Sequence, residues 1–550
     1  MNHSDDQQPP TSPDRYRRVL ACIEVALIFL LLFVFTTRPP PGDDEPHYLG
    51  KAKQYWDPDW LAGDFFLETP DAHVVFNWVI GRLTLYFSLD AVAWIARCAA
   101  WLSLAVAWRR LSRAILPRPL VSLWTIALFL VFQEHGTAAQ EWIVRGVEAK
   151  CFAYVFVLLG LEQIVRGRWS WVWPLLGAGA AFHVLVGGWA VVAAFLAWIA
   201  TNERTPLVKM LPSLIVGGLL SLPGLVPGLL LSWKADPEVV AQANQIYVFD
   251  RLSHHLVVYD FAWRNKLQFT LVLAAWLLVC FLMRSTPAEG EPTGLPLRRF
   301  VLGTIVIGIV GLIIDQTTAI LESSDLAASL LRFYWYRLAD VMVPLGLAFA
   351  LAEWTLGERK WPPKKYTDAM LFVFILMPLL VIAWHALERR SDGRPMADVQ
   401  SHIGEHDMAE YHAWRSTCQW VRENTSDDAR FLIPPSISSF RWYAQRSEVV
   451  SRKDIPQNAE GIVEWSERVA TVNRWYRSVA KDGLTPKVHD ELLELAAAEK
   501  YDFQYVIIHG RELSRPSPLE EVYASDFGPS PDFVVYRVPL ELRGPEPTGD

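Results

Sequence analysis

Three consecutive acids, Asp43, Asp44 and Glu45, follow the first apolar run of the chain, and His47, Asp57, Asp59, Asp64, Asp71 and His73 come before the next run near Ala91. Carboxylates held against a membrane can act as general base toward an acceptor hydroxyl or amine, or help bind a divalent ion. Their commonest role is plainer, as solvated loop acids and helix caps. Chemistry therefore needs cationic companions, and three later segments supply them. Segment 133–150 contains Glu134, His135, Glu141, Arg145, Glu148 and Lys150; the stretch after Trp233 carries Arg251, His254 and His255; and Arg332-Phe333-Tyr334-Trp335-Tyr336-Arg337, with Asp340, opens a late apolar run.

A planar guanidinium suits phosphate recognition, which makes Arg332, Arg337 and Arg145, with Lys150, the candidate anion binders. Arg337 and Asp340 are three residues apart, so they share a helix face and are expected to pair. Arg332 also reads as a snorkelling anchor in an aromatic belt. His254-His255 lacks a carboxylate at helical spacing and reads more readily as surface than as a metal site. His183 reads as a satisfied histidine of the bundle.

The scaffold for these residues is a membrane protein. Of the 550 residues 52% are hydrophobic and 20% charged, too apolar for an ordinary soluble chain, and the net charge of −8 offers no basic surplus for nucleic acid. The five cysteines form no CxxC pair, which excludes a zinc or disulfide framework of the usual spacing. Apolar runs begin at Val19 and near Ala91, Pro119, Cys151, Trp171, Gly187, Leu207, Leu267, Phe300, Phe333 and Asp368, giving about eleven transmembrane helices. Basic clusters in alternating loops place the N-terminus in the cytoplasm, although Arg389, Arg390 and Arg394 follow the last span on the opposite side. As one helix, 171–199 would be roughly 43 Å long at about 1.5 Å per residue, so a division at Gly187-Gly188 is expected, with His183 in a protein-lined cavity.

The expected domains are a disordered cytoplasmic tail at 1–18, a transmembrane domain at 19–390 with an outer loop at 37–90, and an extramembrane α/β domain at 391–550. Within that loop, 74–88 reads as an interfacial helix. The last domain shows helices near 408–423, 458–480 and 489–500 and strands at 429–433, 505–508 and 533–538.

A first span, an outer Asp-Glu at its exit, an amphipathic helix and then Phe87-Ser88-Leu89-Asp90-Ala91-Val92-Ala93-Trp94-Ile95-Ala96-Arg97 resemble the start of the GT-C superfamily of polytopic glycosyltransferases, such as protein O-mannosyltransferases and aminoarabinose transferases. The resemblance covers roughly the first 110 residues as motif and the rest as architecture. It implies a bacterial inner-membrane enzyme that takes sugar from a polyprenyl-phosphate donor, in an inverting transfer, to a glycan, lipid or protein acceptor. Asp44 would be the base, Glu45 its support and Asp43 an alternative, with Asp64 a more remote or metal-side acid. The family's Pro-Pro after the loop is absent, with His73 near that place, which leaves the acceptor open. A divalent ion is compatible with this reading, but no ligand spacing implies one. Trp420 to Pro434 resembles the start of the outer domain in many GT-C proteins, and the arginines and aromatics at 440–446 could read an acceptor. The tryptophan-aspartate motif of oligosaccharyltransferases is missing. The rival is a non-enzymatic polytopic protein, a transporter or envelope scaffold, although no internal repeat supports a transporter.

Overall fold

The computed structural model describes residues 12–36, 38–202, 204–285, 293–357, 364–405, 407–512, 517, 519–525 and 532–539. The start of the expected tail (1–11) lies outside them, as do Arg359 and Lys360 of one basic cluster; the end of that tail is helical from Ser12.

Helix α1 (Ser12–Thr36) leads into three shorter helices, α2 (Glu45–Trp56), α3 (Phe65–Glu68) and α4 (Val74–Gly81). The bundle continues through α5 (Leu89–Ile115), α6 (Val121–His135), α7 (Ala149–Val165), α8 (Trp169–Phe182), α9 (Val184–Ile199) and α10 (Leu207–Leu230). After the short α11 (Pro237–Gln245) and α12 (Ser253–Leu256) come α13 (Trp263–Ser285), α14 (Leu295–Ile320), α15 (Ser324–Leu331), α16 (Arg337–Leu356) and α17 (Lys364–Asp392). A helix stands at each of the eleven apolar runs. Among the described residues, six are long and apolar enough by themselves to cross a membrane: α1, α5, α10, α13, α14 and α16. The protein is an integral membrane protein.

α16 is buried along its length and packs against α6, α13 and α14. α10 instead leaves most of its leucines exposed, the behaviour of a helix whose outer face meets lipid. It touches α8 through glycine: a Cβ on Gly217 would stand 2.5 Å from the Trp173 carbonyl oxygen, so the two backbones meet where no side chain fits. Segment 171–199 divides at His183, not at the glycines. His183 is extended (φ −148°), while Gly187 is a packing residue whose added Cβ would lie 2.2 Å from the Ala180 amide nitrogen.

The C-terminal part folds as an α/β domain. After the short α18 (Met396–Gln400), α19 (Met408–Asn424) leads to β1 (Arg430–Leu432), α20 (Phe440–Ala444) and β2 (Ser447–Glu448). Then come α21 (Ala459–Asp482), α22 (Pro486–Ala497), β3 (Tyr505–His509), β4 (Glu520–Ala524) and β5 (Phe533–Arg537). The sheet order is β2-β1-β3-β5-β4, with β1 parallel to β2 and β3, and β5 antiparallel to β3 and β4. The two-residue period of strands sorts the side chains. Phe431, Ile507, Phe533 and Val535 pack with Trp414 and Cys418 of α19, while Leu432, Val506, Ile508 and Val534 pack with Val472, Trp475 and Tyr476 of α21. The first of these cores continues into Leu49, Ala52, Phe76, Val92 and Ala96, so the domain is joined to α2, α4 and α5 through one apolar interior.

Gly217→Leu is expected to destabilise the protein by about 1–3 kcal/mol or more through forced separation of α8 and α10. Thermal unfolding in detergent checks this, with Gly218→Leu, whose Cβ would meet nothing within 4 Å, changing the midpoint little.

Candidate active site between the bundle and the C-terminal domain

Glu45 opens α2 and is fully buried. Arg97 of α5 grips it with both arms, Nε to Oε1 at 2.5 Å and Nη2 to Oε2 at 2.6 Å. The Gly42 amide donates to Oε2 at 2.5 Å and the Val147 amide to Oε1 at 2.9 Å. Gly42 and Gly146 allow this closeness, since a Cβ on Gly42 would lie 3.1 Å from the Gly146 Cα. One carboxylate thus clamps the 38–45 turn, the 136–148 loop and α5 together. Glu45 itself lies outside the cavity described below and has no face left for a substrate.

The clamp presents Asp43 and Asp44 side by side toward Lys453, which arrives from the loop after β2. Lys453 Nζ stands 2.6 Å from Asp43 Oδ1 and 2.8 Å from Asp44 Oδ1. Burial works to raise the Asp44 carboxyl, but Lys453, with Lys150 beyond it, outweighs burial and holds it well below the usual carboxylate range. Burial followed by the Asp44 charge pushes Asp43 up in spite of Lys453. Burial also raises Glu148, with the Asp44 charge adding to it, although Lys150 is 3.1 Å away. Asp44 is therefore the most acidic member of the trio.

The cations stand opposite. Arg337 Nε forms an ion pair with Glu141 Oε2 at 3.1 Å, and its Nη1 donates to His183 Nε2 at 3.2 Å. Asp340 does not pair with Arg337 as expected. It accepts from the Ala138, Ala139 and Glu141 amides at 2.8, 2.8 and 3.3 Å, which pins the loop carrying Glu141. Lys150 lies 4.1 Å over the Trp142 ring, and Arg145 pairs with Glu134 at 3.5 Å. Arg332 donates to Asn244 Oδ1. His73 is held by Asp71 at 2.9 Å, and His255 Nδ1 donates to the Ala139 carbonyl at 2.6 Å.

Asp64 also lies outside the cavity. It is fully buried, caps α3 by accepting from the Leu67 amide at 3.0 Å, accepts from the Glu448 amide at 3.2 Å, and receives Arg441 Nη1 at 2.7 Å. Arg441 also meets Asp454 and Glu448, so the run at 440–446 is a packed ionic corner facing no acceptor.

Asp43, Asp44, His73, Arg145, Lys150, His254, His255, Arg332 and Arg337 all line one cavity of about 1200 Å³. It lies at one end of the bundle, where α6 ends, α7 and α16 begin and α8 meets α9. The C-terminal domain closes it with Arg452, Lys453, Ile455 and Gln457. Val184, Leu185, Trp189, Val192, Leu225 and Leu229 give the cavity an apolar wall whose Val192 and Leu229 are exposed at the bundle surface. Sequence reasoning missed Lys453, Arg452 and Tyr48 of this lining; a lysine in a polar loop carries no local signal of a partner 410 residues away. A divalent ion does not fit the set: among the described residues no three His, Cys, Asp or Glu side chains cluster as ligands, and the carboxylate pair already shares an ammonium.

The architecture has a solved counterpart. The arabinofuranosyltransferase AftD from Mycobacteria aligns with 96% of this chain and 42% of its own, at 14% identity and a TM-score of 0.50. The fold is the GT-C fold. The chain thus spans about two fifths of AftD's length. ArnT from Cupriavidus metallidurans aligns over 98% of this chain and 100% of its own, at 12% identity and a TM-score of 0.38. The oligosaccharyltransferase AglB from Archaeoglobus fulgidus does so over 91% and 70%, at 12% identity and 0.41. Residues 412–472, which run from α19 into α21 of the C-terminal domain, match a domain of unknown function (DUF6798). No curated protein matches the sequence.

Removing one partner of a buried pair strands the other charge, at a cost of about 3–5 kcal/mol. Glu45→Ala and Asp64→Ala are therefore each expected to lower the thermal midpoint in detergent markedly, whereas Asp44→Asn, at the cavity wall, lowers it less. Differential scanning fluorimetry on matched preparations checks the ranking.

Proposed function

We propose that the protein is a membrane glycosyltransferase that moves a sugar from a polyprenyl-phosphate donor to an acceptor on the outer face of the membrane. The observation that carries the reading is the single cavity lined by an ionised Asp44, a set of cations and an apolar wall that reaches the bundle surface. A transporter or scaffold gives no reason for that convergence. In this reading the C-terminal domain is extracytoplasmic, and in a bacterial inner membrane periplasmic.

The donor's isoprenoid chain would lie along Val184, Trp189, Val192 and Leu229, and its phosphate among Arg337, Lys150, Arg332 and Arg145. The acceptor hydroxyl would approach Asp44 from the side of the C-terminal domain. As the acceptor oxygen bonds to the anomeric carbon, the bond from that carbon to the phosphate oxygen breaks. The hydroxyl proton passes to Asp44, and the electron pair leaves with the phosphate, whose charge the cations stabilise. Attack and departure on opposite sides invert the anomeric centre. Asp43, the more basic of the pair, would stand by for the proton, and His73, His254 and His255 would line the sugar's surroundings.

Transfer of label from a panel of polyprenyl-phosphate sugars, in membranes with matched expression, tests the reading. Asp44→Asn is expected to lower turnover by about 10²–10⁴-fold, the usual contribution of a general base. Arg337→Gln is expected to lower it without disturbing Asp44. Because Lys453, the hydrogen bond with Glu148 and Lys150 together outweigh burial, Asp44 keeps its charge as pH falls. The acid limb belonging to it should then lie below about pH 3.9, the ordinary value for aspartate. Equal transfer by Asp44→Asn would remove that residue from the role, and no transfer by either across the panel would favour the non-enzymatic reading.

A further inference from the structure

We propose that Lys453 is a built-in cation of the Asp43–Asp44 pair, a positioning residue that the C-terminal domain places where a divalent ion would otherwise sit. Its consequence for catalysis rests on the glycosyltransferase reading; its structural content does not.

Adjacent carboxylates turned toward one point are oxygen donors of the kind that hard divalent cations take. Here the point is filled by Nζ at 2.6 and 2.8 Å. The lysine is fixed in place. Its amide donates to Ser451 Oγ at 3.2 Å, and the carbonyls of Arg452 and Lys453 accept from Arg251 at 3.0 and 3.2 Å. The next residue, Asp454, is held by His47 at 3.1 Å and by Arg441. Arg251 belongs to the segment between α11 and α12 and His47 to α2, so both sides of the cavity rim hold the loop in register. An ammonium on such a support supplies one positive charge with directed N–H donors, which offsets part of the pair's charge and orients Asp44 without an exchangeable ion. Were the lysine absent, two neighbouring carboxylates at the cavity wall would face each other with no counter-charge between them, a state that protons or a divalent ion would relieve.

Mn²⁺ is the probe, followed by electron paramagnetic resonance on the purified full chain in detergent. Wild type is expected to bind no Mn²⁺ that depends on Asp43 and Asp44. Lys453→Ala should gain one site per chain, and that site should vanish when Asp43→Asn and Asp44→Asn are added. Lys453→Met, which keeps the aliphatic stem, gives the same result where the alanine variant folds poorly, and Lys453→Arg should gain no site. Mn²⁺ bound by wild type and lost with the two asparagines would overturn the proposal, as would folded Lys453→Ala and Lys453→Met that gain nothing. Where transfer is measurable, Lys453→Ala should fall at least tenfold and recover in part with added Mn²⁺, while wild type ignores the ion. Absence of transfer in every preparation would count against the glycosyltransferase reading and leave the Mn²⁺ result to decide the role of Lys453.

Discussion

The buried pairing of Glu45 with Arg97 is the constraint on which the site depends. A carboxylate with 0% exposure and a guanidinium with 2% repay their desolvation only when every lone pair and proton finds a partner. Glu45 meets that condition by accepting from Arg97 and from the amides of Gly42 and Val147, while Arg97 also donates to the Arg38 carbonyl at 2.9 Å. These partners come from three separate stretches of chain, so the ion pair can be satisfied only when all three are docked. Asp43 and Asp44 lie between the fixed points Arg38 and Glu45, and Glu148 follows Val147 directly. The acids of the cavity are therefore aimed by a carboxylate that never meets a substrate.

The same logic governs the rest of the charge in the cavity. Asp340 spends its carboxylate on three backbone amides, which fixes Glu141, and Glu141 fixes Arg337. Glu134 stands between Arg145 and Arg389. Each cation that could meet an anionic ligand is thus held by an acid or amide behind it, so little side-chain reorganisation accompanies binding. Such a surface suits a step in which charge appears on a leaving group.

What the sequence made legible follows from the range of each signal. Apolar runs are continuous and local, and each of the eleven marked a helix; strands β1, β3 and β5 were legible from β-branched and aromatic runs. The two-residue β2 and the polar β4 carry no such pattern. The acids at 43–45 stood out because of their place after a span, and nine of the eleven candidate residues meet in one cavity. The pairings of Glu45 and Asp64 were not legible, because what decides a buried acid is its partner, and Arg97 and Arg441 are 52 and 377 residues away. Periodicity relates residues three or four apart, which is why it paired Arg337 with Asp340 and missed Glu141. Gly187 was misread for a related reason, since a glycine that breaks a helix and one that lets another backbone approach look alike in sequence.

The C-terminal domain is a wall of the site as well as an appendage to the bundle. Its apolar core runs into α2, α4 and α5, and its ionic corner at Arg441 takes an acid, Asp64, from the loop after the first span. Trp442 Nε1 donates to Asp90 at 3.1 Å and Trp60 Nε1 to Gln445 at 3.0 Å, so the 440–446 run is attached to the membrane-proximal helices from both ends. Those attachments set the position of the short loop that follows β2, and with it Lys453. A domain bound only by a few surface contacts could shift by an ångström without penalty, and a lysine bridge to two carboxylates would not survive that. The shared core is thus the physical requirement for a site whose acids come from residue 44 and whose counter-charge comes from residue 453.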